Sequence, residues 1–285
     1  MSRPDEPPTA TTSDAPRLAG YIEVWWQAVS DFAGLLEQLD DEELSTPTDL
    51  PGWDVRAVAA HVAHLERVLA TGEEETTEVG EPAHVTSMMG LYTEIGPANR
   101  RDRTAAQLAA EIREHTEVRR AALLAQPPAD GSAKPERIFG GVPWSWETLL
   151  RNRPLDVWMH EQDIRRAVGR PGGLDSPAAQ HTTDYLMESL GFVLVKRVGA
   201  PAGTTAVLEV EGSTPLGFEV VDFDGKLRGR QLATPPENPT VRLRTDRESF
   251  IVLAGGRRQP PPGAVTVEGD QELGGRIVAA MATTP

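Results

Sequence analysis

A chain of 285 residues can bury a sizeable core and is long enough for two domains. Its 39% apolar composition is that of a globular protein, and a formal charge of −15 argues against a nucleic-acid partner, whose backbone calls for concentrated Lys and Arg. No run approaches the ~18 uncharged apolar residues of a membrane span, and the lack of cysteine removes disulfide frameworks, thiolate metal sites and cysteine nucleophiles.

Residues 1–16, MSRPDEPPTATTSDAP, have no apolar core of the kind a secretion signal needs and read as a disordered lead; cytoplasmic location is the default. Leu18, Ile22, Trp25, Val29, Phe32, Leu36 and Leu39 then recur at steps of four and three, the stripe of a first helix. After a turn-rich stretch at 46–52, Val55, Val58, Val62, Leu65 and Leu69 define a second helix. Residues 72–81 form an acidic, solvated loop, and 82–102 carry no clear period. Thr104 with Gln107 makes a capping box for a third helix ending before Pro127. A fourth helix spans 146–168, closed by Gly169 and Pro171, with Pro154 inside predicting a kink or a restart. Ser176-Pro177 opens a fifth helical stretch to about Arg197.

Beyond Gly199 the period changes. Residues 205–210 and 218–221 read as strands, and Asp224-Gly225 is a hairpin turn into a third short strand. Further strands are predicted at 240–243 and 264–267. Thr245 with Glu248 is predicted to cap a short helix stopping at Gly255-Gly256, and a last helix follows Asp270. The expected organisation is a tail over 1–16, a helical bundle over 17–198 and a small α+β domain over 199–285.

Polar residues interrupt the core face of the fourth helix. At about 100° per residue, Leu149, Asp156, Val157, His160, Asp163, Ile164 and Ala167 share one side, while Trp158, Gln162, Arg165 and Arg166 point elsewhere. Asp156 and His160, four apart, lie one above the other. A carboxylate and an imidazole in a bundle core must be paired, hydrogen-bonded or bound to metal, and together they are common ligands of zinc and similar ions. On the second helix His61 sits roughly 80° from the stripe centre and His64 roughly 140°. His61 is therefore at the edge of the buried face, beside small Ala57, and His64 is expected to look outward. Three ligands would leave the open position of a catalytic site. The same residues admit a structural reading, with Asp156 bonded to His160 and His61 a half-buried core histidine.

Asp163, one turn after His160, can orient a ligand or form a salt bridge with Arg153 or Arg166. Trp144 and Trp146 can line a pocket mouth or simply pack, and Trp53 is placed to seal the bundle against its preceding loop. Glu161 and the Arg165-Arg166 pair are expected to face solvent or the second domain. His84, His115 and His181 stand apart from the pattern.

Two segments go further. LPGWDVRAVAAH at 50–61 and DVWMHEQDIRRAVGRP at 156–171 resemble the two helical signatures of the mycothiol-dependent maleylpyruvate isomerase family, part of the DinB-like metalloenzymes. The stretch from Thr245 through Gly255-Gly-Arg-Arg258 to Glu268-Gly-Asp270 resembles that family's small C-terminal domain. The resemblance implies a four-helix bundle holding one divalent metal, usually zinc, followed by an α+β domain. It implies His61, Asp156 and His160 as ligands, with the departure that the isomerase is expected to carry glutamate where this chain has Asp156.

It further implies mycothiol or another small thiol as co-substrate, with a small-molecule substrate and neither nucleic acid nor membrane as partner. In the isomerase the thiolate adds to a cis double bond beside a carbonyl, the bond rotates, and elimination gives the trans product; related proteins resemble thiol transferases. An arginine of the second domain is expected to help bind anionic substrate or thiol, with Arg257, Arg258 and Arg276 as candidates. The function expected is a metal- and thiol-dependent isomerase or transferase. Two alternatives stay open. One is metal-assisted hydrolysis, with Asp163 or Glu161 moving the proton. The other is a non-catalytic protein that binds a small ligand between its domains.

Overall fold

A computed structural model describes residues 13–284. Residues 1–12 of the expected lead lie outside it, and Ala15 and Pro16 already belong to the first helix, α1 (Ala15–Leu36). Proline suits a first helical turn, where its missing N–H has no partner to lose. Asp54 caps α2 (Val55–Thr71) by accepting from the Ala57 amide. The predicted capping box opens α5 (Ala105–Ala125), with Thr104 and Gln107 bonded reciprocally. Ser145 caps α6 (Trp146–Ala167).

These long helices pack as α1 against α5 and α6, and α2 against α5 and α6. The arrangement is not a simple four-helix bundle. The unpatterned stretch contains α3 (Met88–Thr93) and α4 (Ile95–Asn99), and α4 lies on α2. Gly96 permits that approach: a Cβ there would stand 2.6 Å from His64 Cβ and 2.8 Å from the Ala60 carbonyl oxygen. Helix α7 (Pro177–Met187) crosses α1 and α6, and α8 (Leu190–Phe192) runs into a π-helical turn over Val193–Arg197.

Helix α6 runs through Pro154 without the restart that was one of the two expectations there. It is also covered on more than one side, by α1, α2 and α7, so a one-face wheel misplaces part of it. Trp158 and Gln162 are buried, and their side chains donate to the carbonyls of Gly173 and Gly172 in the loop that follows. Glu161, expected outside, is buried against Arg165. Trp144 and Trp146 pack around Leu65, Leu69, Phe139 and Leu149, the bland of their two readings.

The mixed part forms, among the described residues, a five-stranded sheet in the order β3-β2-β1-β4-β5. Its strands are β1 (Thr205–Val210), β2 (Leu216–Phe223), β3 (Lys226–Leu232), β4 (Val241–Thr245) and β5 (Val265–Gly269). Only β1 and β4 pair in parallel, joined through the crossover that the β2–β3 hairpin occupies. At the hairpin Asp224 and Gly225 have φ of 52° and 75°, the left-handed pair that a two-residue turn of this hand demands.

Helix α9 (Arg247–Ala254) is capped by Asp246, not Thr245, because Thr245 closes β4 while Asp246 reaches the Ser249 amide. Asp246→Ala should therefore lower stability by about 1 kcal/mol in chemical denaturation, and Thr245→Ala should leave the cap intact. Asp270 caps α10 (Gln271–Ala279) in the same way.

Candidate metal centre

Helix α2 contributes His61 and α6 contributes Asp156 and His160 to one buried cluster. His61 Nε2 lies 3.7 Å from Asp156 Oδ2, and His160 Nε2 lies 3.7 Å from Asp156 Oδ1. A ligating atom from each of the three lies within 4.8 Å of the others. The gaps to Asp156 are too long for hydrogen bonds. They are close to the ligand–ligand spacing of about 3.4 Å that a tetrahedral zinc with bonds of about 2.1 Å requires. The donor set and its spacing thus fit a divalent ion. Trp53 forms one wall, its ring centroid 5.1 Å from that of His61 and 6.1 Å from that of His160, with Nε1 donating to Glu94.

Burial alone would push the Asp156 carboxyl up, but Arg153 and the two histidines outweigh it and hold the carboxyl below its ordinary range. Arg153 Nη1 donates to Asp156 Oδ2 at 2.7 Å. The rest of its guanidinium rests on Glu66 Oε1, from Nε at 3.2 Å and Nη2 at 2.8 Å. Glu66 also accepts from Arg119 at 3.0 Å and from Trp25 Nε1 at 3.0 Å. Glu66 and Arg153 are wholly shielded from solvent. Burial also lowers the His61 pKa, which keeps a neutral imidazole with a lone pair to give.

His160 is oriented from behind. Its Nδ1 lies 3.2 Å from Asp163 Oδ2, which leaves Nε2 directed at Asp156. Asp163 in turn accepts from Arg166 and from Arg257, whose Nε and Nη2 reach its two oxygens at 3.1 and 3.0 Å. Burial opposes ionisation of Asp163, but the bonds to His160 and Arg257 prevail and hold its pKa low. Both readings of Asp163 are thereby present in the geometry, with Arg166 and not Arg153 as the salt-bridge partner. Of the three candidate arginines, only Arg257 reaches this network. Arg258 lies 3.6 Å from Asp49, and exposed Arg276 donates to the Val198 carbonyl.

His64 is not outward. It is wholly buried under α4, its ring 5.3 Å from that of Tyr92, and neither nitrogen has a hydrogen-bond partner among the described residues. Burial drives its pKa down to about 4, against the pull of Glu75. A base whose pKa falls on folding binds fewer protons folded than unfolded, so stability declines as pH drops from about 6.5 towards 4. His64→Leu should flatten that decline in denaturation curves recorded across the window. The other histidines stay outside the cluster: His84 pairs with Glu94, His115 with the Glu111 carbonyl and His181 with the Arg151 carbonyl.

Sequence reasoning missed Glu66 and Arg119, and gave Arg153 only a possible tie to Asp163. The available signal was a charged residue beside the apolar stripe on each facing helix: Glu66 next to Leu65, Arg119 four before Leu123, and Arg153 three before Asp156. A cavity of about 500 Å³ opens beside Trp53, Ala57, Arg56 and Arg101, though none of the cluster residues lines it.

Residues 25–165 match the family profile described as Mycothiol maleylpyruvate isomerase N-terminal domain, and residues 180–276 match the MDMPI C-terminal domain. No curated protein matches the chain. Among solved structures, the crystal structure of the mycothiol-dependent maleylpyruvate isomerase aligns with a TM-score of 0.52 at 20% identity, covering 88% of this chain and 92% of that one. A histidine-to-alanine mutant of that isomerase aligns with the same TM-score and coverage at 19% identity. At such identities the likeness speaks for the fold, while the two profiles lie in sequence over most of the chain. The chain belongs to the mycothiol-dependent maleylpyruvate isomerase family.

Proposed function

We propose that this protein is a divalent-metal-dependent enzyme that uses a small thiol, such as mycothiol, to isomerise a small electrophilic substrate or to add the thiol to it. The observation that carries this reading is the convergence of His61, Asp156 and His160 at spacings too long for mutual hydrogen bonds and suited to an ion. Zinc is the expected ion, since two imidazoles and one carboxylate are the protein donor set of a catalytic zinc. When bound, such an ion supplies a Lewis acid that lowers the pKa of a thiol or polarises a carbonyl.

The chain's own part is positional. Asp163 holds His160 through Nδ1, and Arg257 brings the C-terminal part onto Asp163, so the orientation of one ligand depends on both parts of the chain. In this reading Arg257 is a strut and not a free arm for an anion. Trp53 screens one side of the two imidazoles from water. The thiol comes from outside because the chain has no cysteine.

Hydrolysis is weakened as an alternative by the state of its two proposed proton carriers. Asp163 is engaged by His160, Arg166 and Arg257, and Glu161 is buried against Arg165.

The test is a turnover screen of zinc-loaded protein with mycothiol and cis-enone acids or other electrophiles, with thiol and metal each omitted in turn. Loss of turnover on omitting either supports the reading. Turnover that survives thiol omission would point to hydrolysis, and ligand binding with no turnover to a binding protein.

A further inference from the structure

The element of the cluster least explained by ligand geometry is the arginine behind it. A carboxylate meant only to attract a cation would not be expected to carry a buried guanidinium on one of its oxygens. Arg153 is wholly buried, sits 2.7 Å from Asp156 Oδ2, and is itself held by Glu66. Oδ1 has no such donor and faces His160.

We infer that Arg153 is a positioning residue that leaves Asp156 a single unencumbered oxygen and offsets its charge, so that the ion keeps enough positive charge to favour an anionic partner at its open position. This rests on the metal reading above and adds to it the residues that set how strongly the ion is held and how much charge it keeps. Glu66 sets the strength of the effect, because it shares the Arg153 guanidinium with Asp156 and draws charge away from the ion. Arg119 holds the other Glu66 oxygen, Oε2, and Trp25 Nε1 shares Oε1 with Arg153, which fixes the chain of contacts from α1 and α5 to the candidate ligand.

This arrangement makes opposite demands on two variants that each remove one charge. Arg153→Gln removes a positive charge one residue away from the ion while leaving Glu66 paired with Arg119. Glu66→Gln removes the negative charge that balances Arg153. If the pair acted only by supporting the fold, both variants would weaken metal binding. The inference predicts opposite signs instead.

The experiment is zinc affinity of the full chain, read by competition with a chromophoric chelator, together with the visible spectrum of the cobalt-substituted protein. Arg153→Gln should bind zinc about tenfold or more tightly than the parent, and Glu66→Gln about tenfold or more weakly. Arg153→Lys, which keeps the charge, should stay within about threefold of the parent. The cobalt spectrum should change for Arg153→Gln, where Asp156 regains its second oxygen, and should hold for Arg153→Lys. Should one variant fail to fold by circular dichroism, the sign of the other decides.

Equal or weaker zinc binding by Arg153→Gln, or tighter binding by Glu66→Gln, overturns the inference while leaving the metal site standing. A parent that takes up no zinc overturns both.

Discussion

Protein purified with zinc available should carry about one equivalent, and His61→Ala, Asp156→Ala and His160→Ala should each carry almost none. The expectation follows from having three donors and no spare. His84 is committed to Glu94, and His64 is sealed under α4. Among the described residues, no further histidine or carboxylate joins the cluster. Asp163→Asn should act differently, because it loosens a ligand without removing one. Losing the charge that orients His160 should weaken zinc by about 10–100-fold, with stoichiometry recovered at high zinc. Asp156→Glu should retain the ion, since the longer carboxylate is the one expected in the isomerase. Elemental analysis after dialysis, followed by zinc titration of each variant, separates these outcomes. Full stoichiometry in His61→Ala would sink the three-ligand arrangement.

The cluster was legible in the sequence to the extent that helical spacing alone builds it. Asp156 and His160 are one turn apart on a helix with clear termini, and His61 lies at the margin of an unambiguous stripe, so their meeting needs only that α2 and α6 face each other. The hairpin at Asp224-Gly225 and the capping box at Thr104 were legible for a similar reason, since both are complete within a few residues.

What was not legible depends on contacts distant in sequence. His64 points away from the bundle stripe but is covered by α4, from a stretch without a period whose contribution is the bare Gly96 surface. Trp158, Glu161 and Gln162 read as outward because a wheel assumes one buried face, whereas α6 is packed against α1, α2 and α7. The misassigned cap at Thr245 shows a smaller version of the same limit. Both Thr245 and Asp246 are capping residues, and only the end of β4 decides between them.

Glu66 and Arg153 lie 87 positions apart, and their pairing makes the largest stability effect expected in this protein. Glu66→Ala should destabilise the fold by about 3–5 kcal/mol, because it strands the buried Arg119 guanidinium and takes one of its two carboxylate partners from buried Arg153. Arg153 would keep one partner, Asp156, at the price of a charge drawn further onto a candidate ligand, and Arg119 would lose its carboxylate outright. Trp25 Nε1 would lose its acceptor as well. The cost is that of uncompensated burial and not the net worth of the pair, since bringing all three ions out of water was itself expensive. It follows that Arg119→Met combined with Glu66→Ala should recover part of the loss, by removing a stranded charge together with its partner. Urea denaturation of the metal-free protein measures this without interference from ion binding. A Glu66→Ala variant as stable as the parent would mean that water reaches the network and that these charges are not buried in solution. An additive double variant, with no recovery, would mean that Glu66 is stabilised mainly by Arg153 and Trp25.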